Sequence, residues 1–205
     1  MRVKASFTSQ LDKLFNLYLK ELIEWNKKFN LTAVTDPDEI RIRHFEDSLS
    51  VLQAIDLKDQ KVLDVGAGAG FPGIPLKIVR PNIKLTLIDS TRKKVEFLNH
   101  IIKLLKLDHA EAIWGRAEVL GSDPKYKGKF DVVVSRAVAK LPLLIKYCLP
   151  FLRPGGVFVA MKQENVEEET KQARNNLKKL KGKIKDLIKI KAGDIPRSLI
   201  VIGKI

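Results

Sequence analysis

The chain has 205 residues, with 38 Lys and Arg against 24 Asp and Glu and a formal net charge of +14. That length favours a single domain with an extension, and a 45% hydrophobic fraction is ample for a core. A lone cysteine, Cys148, excludes an internal disulfide; nothing resembles a cysteine metal site, so no metal is expected and a reducing cytoplasm is the natural compartment.

The charge surplus favours a polyanionic partner, nucleic acid first, over a lysine-rich surface with no partner. Met1-Arg2-Val3-Lys4 lacks the apolar core of a signal peptide, and no apolar run reaches membrane-spanning length, so no membrane partner is expected. Residues 9–30 predict an amphipathic helix, because Leu11, Leu14, Phe15, Tyr18, Leu19, Leu22 and Ile23 recur at i, i+3, i+4 spacing. Asp36-Pro37-Asp38-Glu39 predicts a second helix start, with Asp36 as cap, Pro37 at the first position and Glu39 closing a capping box. That helix is expected to run to about Ile55.

From Lys61 the pattern alternates between strand and helix. Strands are expected at Val62–Val65, Lys84–Ile88, Glu111–Trp114, Phe130–Ser135 and Val157–Met161, with a helix over Thr91–Leu105. This is an α/β pattern with a mostly parallel sheet and helices on both faces. Asp59-Gln60 marks the junction, so residues 1–58 form a helical N-terminal extension and residues 59–205 the core. From Lys171 to Lys191 there are nine Lys and Arg against one acid, Asp186. Ile184–Ile190 and Leu199–Ile202, separated by a turn with Gly193 and Pro196, are expected to pair as an antiparallel edge.

Asp64-Val65-Gly66-Ala67-Gly68-Ala69-Gly70 follows the first strand of this core. Gly68-x-Gly70-x-x-Gly73 satisfies the dinucleotide fingerprint, while Gly66-x-Gly68-x-Gly70 after an acid is a second spelling of the loop. The acid decides between them. A pyrophosphate sits over the helix N-terminus in a dinucleotide site, and a carboxylate ending the first strand repels it. S-adenosylmethionine carries a cationic sulfonium and amine, which Asp64 suits. Asp89 ends the second strand, where an acid accepts hydrogen bonds from ribose hydroxyls; its alternative is to cap the helix that begins near Thr91. Phe71 is placed to line the cofactor cleft.

The segment after the fourth strand, Ser135-Arg136-Ala137-Val138-Ala139, narrows the acceptor. It has no Asp/Asn-Pro-Pro-aromatic element to grip an exocyclic amine, and no Pro-Cys supplies a thiolate. Cys148 lies in an apolar stretch and reads as a buried structural thiol. A nucleophile with a free lone pair, such as guanine N7, needs no general base, and none is assigned. In duplex RNA that atom lies in a groove that side chains cannot enter, so the target must sit in a loop or be turned out.

The chain resembles the RsmG (GidB) family of 16S ribosomal RNA guanine-N7 methyltransferases. The matching elements are Trp25-Asn26-Lys27-Lys28-Phe29-Asn30-Leu31-Thr32, Arg43-His44-x-x-Asp47-Ser48 and Asp64-Val65-Gly66-x-Gly68-x-Gly70-Phe71-Pro72-Gly73-Ile74-Pro75. Asp89-Ser90, Arg116-Ala117-Glu118 and Ser135-Arg136-Ala137 follow. The resemblance implies a class I S-adenosylmethionine-dependent (Rossmann-like) methyltransferase fold and methylation of a guanosine in the decoding-region loop. It also implies that Gly66, Gly68, Phe71, Asp89, Ala117, Glu118 and Arg136 surround the cofactor, and it draws His44 toward the substrate cleft.

Arg136 beside a cationic donor suits the donor's carboxylate or the RNA, against a pairing with a carboxylate such as Asp64. His44 and Asp47 alone would be an ordinary polar pair one turn apart. Lys162, just after the fifth core strand, is placed to reach substrate or phosphate. Trp25 reads as core packing. The expected partner is 16S ribosomal RNA or the small subunit, and the protein is expected to be a monomer. The alternatives are a methyltransferase of another substrate, marked by a neutral or acidic cleft, and a ribosome-binding module without donor affinity.

Overall fold

The computed structural model describes residues 9–205. The Met1-Arg2-Val3-Lys4 segment and the first part of the 1–58 extension lie outside the described residues. Helix α1 (Ser9–Phe29) buries Phe15, Tyr18, Leu19 and Leu22 along one stripe, as its periodicity predicts.

The second helical stretch departs from the expected uniform helix. It starts as α2 (Pro37–Ile40), where Asp36 Oδ1 accepts from Glu39 N at 2.9 Å. Glu39 does not close the capping box; its carboxylate pairs with Arg43. A π-helical turn follows over Arg41–Glu46, then α3 (Asp47–Leu49) and a 3-10 turn over Ser50–Gln53. π-turns insert an extra residue per turn and recur at functional sites; this one carries Arg43 and His44.

The core then alternates as β1 (Lys61–Val65), α4 (Gly73–Val79), β2 (Lys84–Asp89), α5 (Arg92–Leu104), β3 (Ala110–Trp114), α6 (Ala117–Leu120), β4 (Phe130–Arg136), α7 (Leu141–Cys148), β5 (Leu152–Gln163), α8 (Glu167–Lys179), β6 (Gly182–Ala192) and β7 (Ile195–Lys204). The strands form one seven-stranded sheet in the order β3-β2-β1-β4-β5-β7-β6. The pairings from β3 through to β5 are parallel. The C-terminal hairpin supplies the antiparallel pairs, with β7 against β5 and β6 on the edge. Pro196 lies inside β7 opposite Lys191, so the turn itself falls at Gly193, where φ is +60°.

Alternate residues of each strand face opposite layers. Val62, Leu85, Leu87, Val132 and Val134 pack with Phe15, Tyr18, Leu22, Phe45, Phe71 and Phe97 beneath α1, α4 and α5. Leu63, Val65, Val133 and Phe158 pack with Leu144, Ile145, Cys148 and Phe151 on the other face. Cys148 is fully buried there, and burial pushes its thiol well above the usual range. Trp25 packs on Phe97 at 5.4 Å and on His100 at 5.1 Å, joining α1 to α5. No helix among the described residues is long and apolar enough to cross a membrane.

Candidate active site

The strand order reverses between β1 and β4, the switch point at which open α/β sheets bind ligands beyond the strand ends. A cleft of about 390 Å³ lies there, walled by Gly66–Ala69 and Phe71 after β1, Asp89–Thr91 after β2 and Arg136–Val138 after β4. Leu31, Thr32 and His44 close it from the N-terminal helices.

Gly68 has φ +59°, and a Cβ there would meet only the Gly66 carbonyl, at 3.9 Å. The space above it is open cleft, a cradle that a side chain would fill. Gly66 (φ +71°) is needed for a different reason: a Cβ would collide with Val138 Cγ2. The segment after β4 therefore rests directly on the glycine loop. Asp89 steadies the loop from β2, with Oδ2 accepting from Gly68 N at 2.9 Å and Oδ1 from Thr91 N at 2.8 Å. The ribose and helix-start roles of Asp89 are thus compatible, because a carboxylate has about four lone-pair sites and these bonds use two. A cradle of bare backbone, a carboxylate for ribose hydroxyls and no phosphate-binding cation in the loop fit S-adenosylmethionine.

Asp64 does not face this cleft. It is fully buried below the loop, where Oδ2 accepts from Gly73 N at 2.8 Å at the start of α4 and Oδ1 has no partner among the described residues. Burial pushes its carboxyl up to about 7, against the Gly73 hydrogen bond and the Arg136 charge, which lower it, while Asp89 adds to the rise. Asp64 is therefore a support beneath the cleft floor, not part of its wall.

Arg136 and His44 stand between this cleft and a second one. The Arg136 guanidinium lies 5.0 Å from the Phe71 ring centroid, and His44 stacks on the same ring at 4.6 Å. Arg136 Nη1 donates to Asp47 Oδ2 and to the Arg43 carbonyl, both at 2.9 Å. Its carboxylate partner is Asp47, not Asp64. Asp47 is buried and also accepts from Arg197 Nε at 3.2 Å. The family-specific motif around Asn26 acts through Thr32. Asn26 brackets Thr32 with two bonds, Oδ1 from Thr32 N at 2.9 Å and Nδ2 to Thr32 O at 3.0 Å. Thr32 Oγ1 accepts from Val34 N and lies 2.7 Å from His44 Nε2, while His44 Nδ1 lies 3.0 Å from the Arg43 carbonyl. Arg136 Nη2 also lies 3.3 Å from His44 Nδ1, and the imidazole set among these groups is neutral. Burial and the Arg136 charge lower its pKa to about 4, so His44 is a flat, uncharged wall at neutral pH.

The second cleft, about 560 Å³, shares His44, Arg136, Ala137 and Val138 with the first and extends to Arg43, Lys162, Glu169 and Arg197. Ala137, at the junction, has φ +55°, a strained conformation of the kind found where a segment is held for function.

A family profile described as "GidB: rRNA small subunit methyltransferase G" matches residues 11–199. The chain belongs to this family. It is 47% identical over 194 residues to the ribosomal RNA small subunit methyltransferase G of Thermoanaerobacter sp. (strain X514), covering 93% of this chain and 81% of the relative. The protein of the same description from Acetivibrio thermocellus is 48% identical over 197 residues, covering 95% and 81%. Among solved structures, a putative S-adenosyl-L-methionine-dependent methyltransferase from Methanococcus maripaludis superposes with a TM-score of 0.61 at 16% identity, covering 91% of each chain. At that identity it speaks for the fold alone, a methyltransferase α/β sheet.

Of the residues singled out from sequence, Gly66, Gly68, Phe71, Asp89, Arg136 and His44 meet around the first cleft. Ala117 and Glu118 do not line it. They open α6 and face a separate depression beside Tyr147. Lys162 lines the second cleft, but its ammonium is committed, donating to the Ala139 carbonyl at 2.9 Å and pairing with Glu169 Oε2 at 2.8 Å. Sequence reasoning missed Arg197 and Glu169. Arg197 meets Asp47 across 150 positions, and Glu169 sits inside an acidic run that reads as a helix start. Thr32 stands out in the sequence only as the end of a motif; its link to His44 has no local signature.

Proposed function

We propose that the protein transfers a methyl group from S-adenosylmethionine to N7 of a guanosine in the decoding-region loop of 16S ribosomal RNA. The observation that carries this reading is the pair of clefts that share one wall of His44, Arg136, Ala137 and Val138. One cleft is floored by bare glycine backbone, as a donor needs. The other is wide enough for a base turned out of its loop. Family membership supports the ribosomal substrate, and the net charge of +14 supports a polyanion.

When bound, the donor supplies an electrophilic methyl group whose C–S bond breaks as the N7–C bond forms, leaving S-adenosylhomocysteine and a cationic 7-methylguanine with no proton to remove. The protein's residues therefore have to position and exclude water rather than act as base. Gly66 and Gly68 let the backbone approach the donor, and Asp89 sets the loop and offers acceptor sites to ribose hydroxyls. Arg136, anchored by Asp47, presents a fixed cation toward the donor's carboxylate. His44 and Phe71 form a rigid apolar partition between the clefts, and the neutral imidazole adds no charge beside a developing cation. The helical extension, residues 1–58, serves as the substrate-side wall, and the protein acts in the cytoplasm as a monomer. The family resemblance assigns Ala117 and Glu118 to the donor's adenine end, a role that the separate depression they face does not supply.

The test is labelled donor offered to small subunits and to naked 16S RNA, followed by nucleoside mass spectrometry. The expected product is 7-methylguanosine at one position. Label on a pyrimidine, or on protein, would overturn the reading.

A further inference from the structure

The second cleft contains one feature that a surface built for phosphates does not require. In a chain of net charge +14, a second carboxylate, Glu169, lines the cleft that faces the acceptor beside Asp47, whose own carboxylate is taken up by Arg136 and Arg197. An anion there repels a phosphate, so a role in the RNA complex calls for a group that brings hydrogen-bond donors. Glu169 is also held firmly. Its Oε2 accepts from Leu141 N at 2.7 Å, at the start of α7, and from Lys162 Nζ at 2.8 Å. The Glu169 side chain is 25% exposed and that of Lys162 12%. Burial works to raise its pKa, but those two donors and the neighbouring lysine charges outweigh it and hold the carboxyl below the usual range. Both fall on one oxygen. Oε1 has no hydrogen-bond partner among the described residues, which leaves two lone pairs for a ligand.

We propose that Glu169 is a specificity-determining residue that reads the Watson–Crick edge of the target base, Oε1 accepting from guanine N1–H and from the N2 amine. The inference rests on the guanine-N7 reading above. Guanine presents two adjacent donors on that edge. Adenine and cytosine present a ring nitrogen acceptor at the corresponding place, which a carboxylate repels, and uracil offers a single N–H between two carbonyls. The base's N7 lies on the neighbouring Hoogsteen edge, which meets the Watson–Crick edge at O6. A guanine held at Glu169 by that edge therefore keeps N7 clear of the carboxylate, free to face the wall of Arg136 and Val138 that the two clefts share. Lys162 is a positioning residue in this arrangement. By tying Glu169 to the Ala139 carbonyl, it fixes the carboxylate relative to the segment after β4.

The experiment uses small subunits rebuilt with inosine at the position that the protein methylates. Inosine keeps N7 and N1–H but lacks the N2 amine. The wild-type protein is expected to lose about tenfold or more in kcat/KM on inosine, and to bind the inosine subunit more weakly without donor. In Glu169→Gln the amide oxygen still accepts from Leu141 N, so the fold persists and a thermal melt checks it. This variant is expected to lose at least about tenfold on guanosine, with donor affinity unchanged, and its guanosine-to-inosine ratio should fall to within about threefold. A merely structural role would slow both substrates alike and leave the ratio intact, which would overturn the proposal. Equal rates of the wild type on guanosine and inosine would overturn it without any variant. Failure of the functional reading looks different: no 7-methylguanosine from unsubstituted subunits, which removes the inference with it.

Discussion

Two residues of the glycine loop separate packing from binding. At Gly68 the space for a side chain is open, so Gly68→Ala makes only an ordinary contact with the Gly66 carbonyl and bears mainly the positive φ, about 1–2 kcal/mol for an L-residue. Its methyl group enters the donor cradle. The expected result is a melting temperature lowered by several degrees and S-adenosylmethionine affinity lowered by about tenfold or more, read by calorimetry. Wild-type affinity in this variant would place the donor elsewhere. A second pair, Asp64 and His44, makes opposite contributions to stability against pH. Asp64 titrates near 7 in the fold against 3.8 ordinarily, so the native state holds the extra proton between those values and its contribution is lost as pH rises. His44 titrates near 4 against 6.5, so the unfolded state holds the extra proton and stability grows as pH rises through that window. Relative to wild type, Asp64→Asn should gain stability from pH 4 to 7, and His44→Gln should lose it from pH 4 to 6.5. Urea unfolding at stepped pH measures both, with a slope of at most roughly 1.4 kcal/mol for each step of one in pH inside the window. Parallel curves for either variant and the wild type would refute the assignment.

At the scale of elements, Asp47 is where the helical extension is fastened to the sheet. It leaves α3 buried, meets Arg136 at the end of β4 and meets Arg197 in β7. Asp47→Asn leaves two guanidinium groups with one neutral acceptor between them. Breaking a buried ion pair from one side costs about 3–5 kcal/mol; here both arginines are partly exposed, so the lower end is expected, about 3 kcal/mol by urea unfolding. Donor affinity should fall with it, because Arg136 loses its anchor, whereas Arg197→Gln should disturb stability less and donor affinity little. The same elements show what a sequence can and cannot convey. Strands β1 to β4 and helix α1 were legible because a repeating apolar pattern is local, and the glycine loop because its backbone need is local too. The π-turn at Arg41–Glu46 was not, since one extra residue per turn leaves hydrophobic spacing nearly unchanged. Asp64 was legible as an acid that ends a strand and suits a cationic donor, but its burial was not, because burial depends on what α4 lays over it. The Asp47–Arg197 and Glu169–Leu141 contacts join positions that only the closed sheet brings together.

At the scale of the whole molecule, one edge of the sheet carries a dense run of positive charge. Lys171, Arg174, Lys178 and Lys179 of α8 and Lys183, Lys185, Lys189 and Lys191 of β6 are all exposed on the side of the sheet edge formed by the C-terminal hairpin. In the β6–β7 ladder Ile190 stands opposite Arg197, which lines the second cleft, so Lys189 and Lys191 flank the strand position next to that cleft. On the proposed function, the phosphates that flank a base held there are expected to pass over this edge. Each phosphate neutralised releases condensed counterions, and affinity then falls with salt by about 0.7–0.9 in log–log slope per contact. Donor binding involves no polyanion and should change little over the same range. The double substitution Lys189→Gln, Lys191→Gln should therefore weaken binding to small subunits and reduce the salt slope by roughly one to two, while donor affinity stays as in the wild type. Lys84→Gln is the control, because Lys84 is exposed at the start of β2, at the end of the sheet opposite the clefts, and should leave the slope unchanged. A filter-binding series from low to moderate salt compares both with the wild type. Equal slopes for the double variant and the control would mean that the basic edge is only a solvated face, and that the RNA is held by the clefts and the helical extension instead.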